Sequence, residues 1–157
     1  MIEALDGLEI TRLLNKDRYT KKLFRNVTAR GKLPHSVKKI PSAYVINTDY
    51  YFQKGIHWVF IIFSTKYTLF FDSFGFNPIY YNFPLIVKRG GVPLILNTLA
   101  LQSQSSSACG YYCVYFIFFL SRGKNLNEIL NHFSKTNKKW NDEYVFHFVR
   151  KIGSRRK

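Results

Sequence analysis

The chain has 157 residues, 46% hydrophobic and 18% aromatic, with 15 Phe and 11 Tyr. This composition excludes a disordered or collagen-like chain and supplies the core of one domain, expected over residues 1–157 with a basic C-terminal tail from about residue 150. Twenty-four Lys and Arg against nine Asp and Glu leave +15, more than solubility needs, which points to a polyanionic partner.

The apolar periodicity of Leu5, Leu8, Leu13 and Leu14 predicts a helix over Ile2 to Leu14, weakened at Gly7. Gly31 to Pro34 reads as a loop. Ser42 to Ile46, short and rich in β-branched and aromatic residues, reads as a strand. His57 to Phe63 and Tyr67 to Phe71 are apolar runs joined by Ser64-Thr65-Lys66, the pattern of a central β-hairpin buried on both faces. Ser73 to Pro84, with Gly75 and Pro78, is a turn-rich excursion. Val92 to Leu96 is a further strand after Gly90-Gly91, and Ser103 to Ser107 a polar loop. Ala108 to Leu120 is almost wholly apolar but only 13 residues long, too short for the roughly 17 to 25 of a membrane span, so a buried helix is expected. Asn125 to Phe133 and Asn141 to Arg150 read as amphipathic helices. The expected class is α+β, a central mixed sheet flanked by helices with one helix buried against it.

Charge is uneven along this map. Met1 to Ile40 holds ten basic and four acidic residues, Pro41 to Gly123 five and two, and Lys124 to Lys157 nine and three. Basic flanks, including Lys138-Lys139 and Arg155-Arg156-Lys157, bracket a charge-poor middle. Either these are solvated surface or they meet phosphate backbone. Nine acids cannot neutralise them locally, so contact with nucleic acid without sequence specificity is the expected reading. The two cysteines, Cys109 and Cys113, are too few for a disulfide framework, lie one helical turn apart and lack a second Cys or His pair at zinc spacing. No metal is expected, and a reducing compartment fits best. The N-terminus carries acids and no basic stretch ahead of an apolar run, so it does not read as a secretion signal, which makes the Asn26-Val27-Thr28 sequon incidental.

The residues able to do chemistry stand at element ends. His57 opens one strand of the hairpin and Asp72 closes the next. In an antiparallel pair those two ends lie side by side. Cys109 sits in the first turn of the buried helix, where unpaired N–H groups and the helix dipole favour a thiolate. A thiol nucleophile, an imidazole base and an orienting carboxylate form the generalised triad, and Gln102, seven residues before Cys109, together with the Cys109 N–H could supply an oxyanion hole. Each has a plainer role open to it: Cys as a small core hydrophobe, which is the role of Cys113, Asp as a turn former, His as a surface residue, Gln as an idle loop side chain. His35, His132 and His147 are rivals to His57, but the first lies in a loop and the others in the C-terminal helices.

Gly55-Ile56-His57-Trp58-Val59, Phe71-Asp72-Ser73-Phe74-Gly75-Phe76, and Gln102 followed by Ser106-Ser107-Ala108-Cys109-Gly110 together resemble the adenovirus endopeptidases and their homologues in Polinton or Maverick-type elements. The Val45 to Thr48 stretch is similar too, and the resemblance spans about Leu23 to Leu120. It implies Cys109 as nucleophile, His57 as general base and then acid, Asp72 as orienting carboxylate and Gln102 in the oxyanion hole. Trp58 either lines a narrow substrate channel or packs on the hairpin. The implied activity is endopeptidase cleavage after small residues, at Gly-Gly or Gly-x-Gly sites in viral or virus-like precursors during capsid maturation, in the virion or host nucleus. Asp72 stands where adenovirus enzymes have Glu. DNA is the stimulating polyanion the family implies, with no cofactor needed for the chemistry. The family's activating peptide is held by a further cysteine that this chain lacks, so no disulfide-linked activator is expected. No membrane partner is expected, and a monomer is. Two rivals remain: a SUMO or ubiquitin-like-modifier protease, and a DNA-binding or capsid-associated structural protein with a decayed protease fold.

Overall fold

The computed structural model describes residues 1–33, 39–49, 57–82, 89 and 91–155; Pro34, His35, Gly55, Ile56, Pro84, Gly90 and the final Arg156-Lys157 fall outside them. Helix α1 spans Gly7–Lys16 and starts later than the leucine spacing predicts. The Asp6 side chain caps Glu9 N–H and Glu9 returns the bond, a capping box that makes Gly7 the first helical residue rather than a weak point within the helix. Leu8, counted in the apolar stripe, is exposed. Helix α2, Arg18–Leu23, follows at once, capped by Asp17. Asp17 also meets Arg122 at 2.6 Å, tying the N-terminal helices to the far end of the buried helix.

Strands β1 (Phe24–Ala29), β2 (Ser42–Asn47), β3 (Trp58–Phe63), β4 (Thr68–Phe71) and β5 (Leu94–Leu96) form one sheet in that spatial order. The β1/β2 and β4/β5 pairs are parallel, while β2/β3 and β3/β4 are antiparallel, so the sheet is mixed. Period-2 alternation sorts the hairpin into two buried faces. Phe60, Ile62, Leu69 and Phe71 point into the main core, and Val59, Ile61, Phe63 and Phe70 into a smaller cluster with Leu33 and Tyr81.

Helix α3, Cys109–Leu120, packs on β3 and is covered by α1 and the C-terminal helix. Buried all round through Ile117, it is apolar on every face. Phe116 lies between Phe71 at 4.2 Å and Phe133 at 5.5 Å, ring centre to ring centre, joining sheet and helix layers. Helix α4 covers Leu126–Leu130 and α5 Lys138–Ser154. The latter extends three residues before and four beyond the predicted Asn141 to Arg150: Asn137 caps Trp140 N–H at its start, and Lys151 to Ser154 continue the helix at its end. Among the described residues no helix is long and apolar enough to cross a membrane.

Candidate active site

The register of the hairpin places the site. Phe60 pairs with Phe71, so the start of β3 and the end of β4 share one edge of the sheet. There His57 Nε2 meets Asp72 Oδ1 at 2.7 Å. Asp72 is fully buried, and each carboxylate oxygen has a second donor. Oδ1 also accepts from Phe74 N–H at 2.9 Å, and Oδ2 accepts from the Tyr81 hydroxyl at 2.6 Å and Phe76 N–H at 3.3 Å. Four donors around a buried charge compensate its lost hydration and fix its plane. The main chain of Asp72 is held as well: Asn97 donates to its carbonyl at 2.6 Å and accepts from its N–H at 3.0 Å. Gly75 lets the turn close, since its φ is +76° and a Cβ there would stand 2.8 Å from Thr98 O.

Cys109, the first residue of α3, comes to the same edge because α3 lies along β3. Trp58 N–H points at its Sγ at 3.4 Å, and the thiol lines the same cleft as the His57 imidazole, near enough to raise its pKa. With Nε2 committed to Asp72, Nδ1 is the imidazole nitrogen left for the thiol. Gly110 allows this closeness, because a Cβ there would press on Leu5, Ile10 and Trp58 at 3.2 to 3.4 Å. Phe74 covers the imidazole with its ring centre 4.8 Å away. Burial alone would lower the His57 pKa, but the hydrogen bond to Asp72, the neighbouring Cys109 thiol and the charges of both override it and push it up to about 9. The ring is therefore protonated at neutral pH. Cys113, one turn further along α3, is fully buried and its thiol is pushed up by that burial; it has the properties of an inert core residue.

Gln102 is buried beside this pair. Its Nε2 donates to Ser106 O at 2.9 Å and lies 3.3 Å from Ser106 Oγ, while its Oε1 accepts from Ser73 Oγ at 2.5 Å. Trp58 is half-buried and does two things. It lines the cleft, and its indole N–H donates to Leu5 O at 3.0 Å, holding the N-terminal segment against the site. The cleft measures about 830 Å³; His57, Trp58, Phe74, Gln102 and Cys109 line it, with Ala4 to Gly7 as the facing wall. His57, Asp72, Cys109, Gln102 and Trp58 thus converge on one place. Of the rivals, His147 lies in α5 and His132 in the turn after α4, while His35 is outside the described residues.

Tyr81 and Asn97 were not singled out from the sequence. Tyr81 lies in the 3₁₀ turn Pro78–Tyr81, within a stretch that reads only as turn-rich, and Asn97 directly follows β5. Neither position carries a local pattern. The one available signal was that each follows an element close to the carboxylate's edge of the sheet.

A thiol, a protonated imidazole and a saturated carboxylate in series at the mouth of a cleft form the arrangement of the thiol peptidases. The chain belongs to the adenovirus endoprotease family, whose model matches residues 32–138. That match contains all five candidate residues and runs further toward the C-terminus than the likeness read from the motifs. Among curated proteins, a protease of ovine adenovirus D serotype 7, isolate OAV287, is 32% identical over 95 residues, covering 51% of this chain and 47% of the relative. The chain thus matches about half the length of that relative.

Proposed function

We propose that the protein is a cysteine endopeptidase that cuts after small residues, at Gly-Gly or Gly-x-Gly sites, in viral or virus-like precursor proteins during capsid maturation. The observation that carries the reading is the Asp72 to His57 bond at 2.7 Å, with the thiol of Cys109, at a helix start, lining the same cleft as that imidazole. In this mechanism the Cys109 thiolate attacks the scissile carbonyl carbon. The Cys109 N–H and Gln102 Nε2 hold the oxyanion while imidazolium His57 protonates the leaving nitrogen, and the C–N bond breaks to leave a thioester. His57, now neutral, takes a proton from water as the water attacks the thioester, releasing the acid and restoring the ion pair. Trp58 and Phe74 flank the cleft around His57, and aromatic walls of this kind leave room for glycine better than for a branched side chain.

The +15 charge supports DNA as a nonspecific track or stimulating polyanion, in the virion or the host nucleus, with the protein acting as a monomer and no cofactor entering the chemistry. The Asp72-Ser73 pair favours a second reading, a protease for SUMO or related modifiers. The deciding experiment assays the purified chain against Gly-Gly and Gly-x-Gly capsid-precursor peptides and a SUMO fusion. Cleavage of the peptides, absent in Cys109→Ala, is the expected result. Rapid cleavage of the fusion alone would overturn the virion assignment. If Cys109 alkylates no faster than Cys113, and His57→Ala leaves that rate unchanged, a decayed structural protein is the better account.

A further inference from the structure

A glutamine side chain is ambiguous as an oxyanion donor, because its two ends are nearly the same size and only one carries hydrogens. If the oxygen faces the reacting carbonyl, the residue repels the charge it should hold. At Gln102 the ambiguity is removed by partners on both sides. Ser106 O can only accept, so the Gln102 nitrogen 2.9 Å away must donate to it. The Gln102 oxygen then faces Ser73 Oγ at 2.5 Å, and the serine hydroxyl must give its hydrogen there. Both Ser73 and Gln102 are 1% exposed, so water does not replace that donor. The main chain of Ser73 grips the same residue, with its carbonyl accepting from Leu101 N–H at 2.8 Å and Gln102 N–H at 3.1 Å. Of the two Nε2 hydrogens, one is committed to Ser106 O. The other has only Ser106 Oγ at 3.3 Å, an oxygen that also accepts from Ala108 N–H, and it is the hydrogen left for a developing charge in the cleft.

We infer that Ser73 is a positioning residue for catalysis: its hydroxyl locks the Gln102 amide with the nitrogen toward the cleft, so that Asp72 and Ser73, adjacent in one turn, orient the base and the oxyanion donor respectively. The inference rests on the oxyanion role of Gln102 proposed above. Its consequence is that the base, 15 residues before Asp72, and the oxyanion donor, 29 residues after Ser73, are set by one dipeptide at the end of β4. Removing the hydroxyl leaves Oε1 buried without a donor and lets the amide tilt, which weakens the transition state while leaving the ground-state fit of the peptide intact.

The test uses the full chain with Ser73→Ala, Ser73→Gly, Gln102→Ala and the Ser73→Ala/Gln102→Ala pair. Peptide cleavage is measured alongside alkylation of Cys109 by iodoacetamide, a displacement at carbon that forms no oxyanion. Ser73→Ala should lower kcat roughly tenfold with KM unmoved, and Gln102→Ala should lower it on the order of 100-fold. The pair should be no slower than Gln102→Ala alone, since the hydroxyl acts only through that amide. Alkylation should stay within about twofold of the parent in every variant, which reports an intact fold and thiol, and Ser73→Gly should match Ser73→Ala. Full kcat in both Ser73 variants, or a further tenfold loss when Ser73→Ala is added to Gln102→Ala, overturns the inference and leaves the oxyanion role of Gln102 standing. Full kcat in Gln102→Ala overturns that role and the inference with it.

Discussion

The two ends of the β3–β4 hairpin meet the same requirement, polar groups at the rim of an apolar sheet, by different means. At the closed end the turn satisfies its own N–H groups, and one side chain from further along the chain covers its carbonyls. Ser64 Oγ accepts from Lys66 and Tyr67 N–H, Ser64 N–H bonds Tyr67 O, and Arg89 covers the Ser64 and Tyr67 carbonyls. At the open end no turn joins the strands, and His57 and Asp72 stand where a turn would be. Their partners come from distant parts of the chain: Tyr81 from a 3₁₀ turn, Asn97 from the end of β5, Cys109 from α3. A local turn needs only a few residues to be right. A site assembled from four segments holds its charges only while the whole domain is folded, and that dependence permits a buried carboxylate, a protonated imidazole and a reactive thiol to coexist within one cluster.

The contrast is broken most severely at the open end. Cys109→Ala should abolish peptide cleavage, a loss on the order of 10⁵-fold or more, with the melting temperature little changed and Cys113 unable to substitute. Asp72→Asn should follow, with cleavage down on the order of 10⁴-fold, and it carries a sign. With His57 raised to about 9, kcat/KM should fall as pH rises through about 9, where the imidazole loses the proton destined for the leaving group. Asp72 is among the causes raising it, so the Asn variant should move that alkaline limb to lower pH by roughly 1 to 3 pH units. An unmoved limb would show that Asp72 does not govern the ring. Stability gives an independent reading. A histidine raised on folding contributes fully below its unfolded value of about 6.5, and the contribution disappears as pH rises through the folded value. The parent should therefore lose stability between pH 6.5 and 9 in a way that His57→Ala does not.

The same contrast explains what could be read in advance. The buried hairpin, strand β2 and helix α3 were legible because an apolar run, once too short for a membrane and bounded by polar residues, has few places to go. Cys109 and His57 were legible because element ends are where such residues gather, and because the Asp-x-Phe-Gly-Phe and Ala-Cys-Gly strings carry a family likeness. Helix α2 and strand β1 were not. Arg18–Leu23 is six residues with no full apolar stripe, and Phe24–Ala29 alternates Phe, Arg, Asn, Val, Thr and Ala, an edge strand fixed by parallel pairing to β2 rather than by its own pattern. Tyr81 and Asn97 stayed hidden for a related reason. Their role is a hydrogen bond to a residue 9 or 25 positions away, which no local periodicity encodes.

Smaller changes sharpen the contrast. Tyr81→Phe keeps the ring and removes one of four donors to the Asp72 carboxylate. The negative charge is then less dissipated and attracts the imidazolium proton more strongly, so the alkaline limb should move above 9, opposite to Asp72→Asn, with kcat lower by roughly 2- to 10-fold because the proton is given up less readily. A limb displaced downward would mean that the hydroxyl supports the imidazolium in some other way. At the closed end, Ser64→Ala removes the acceptor for two turn N–H groups and should cost about 0.5 to 1 kcal/mol in denaturant unfolding. Because none of those bonds reaches β3's opposite end, kcat, KM and the alkaline limb should all keep their parent values. A Ser64→Ala protein that loses stability and also shifts its pH profile would show that the hairpin transmits strain from one end to the other, and that its two ends are a single mechanical unit rather than a closed turn and an independently assembled site.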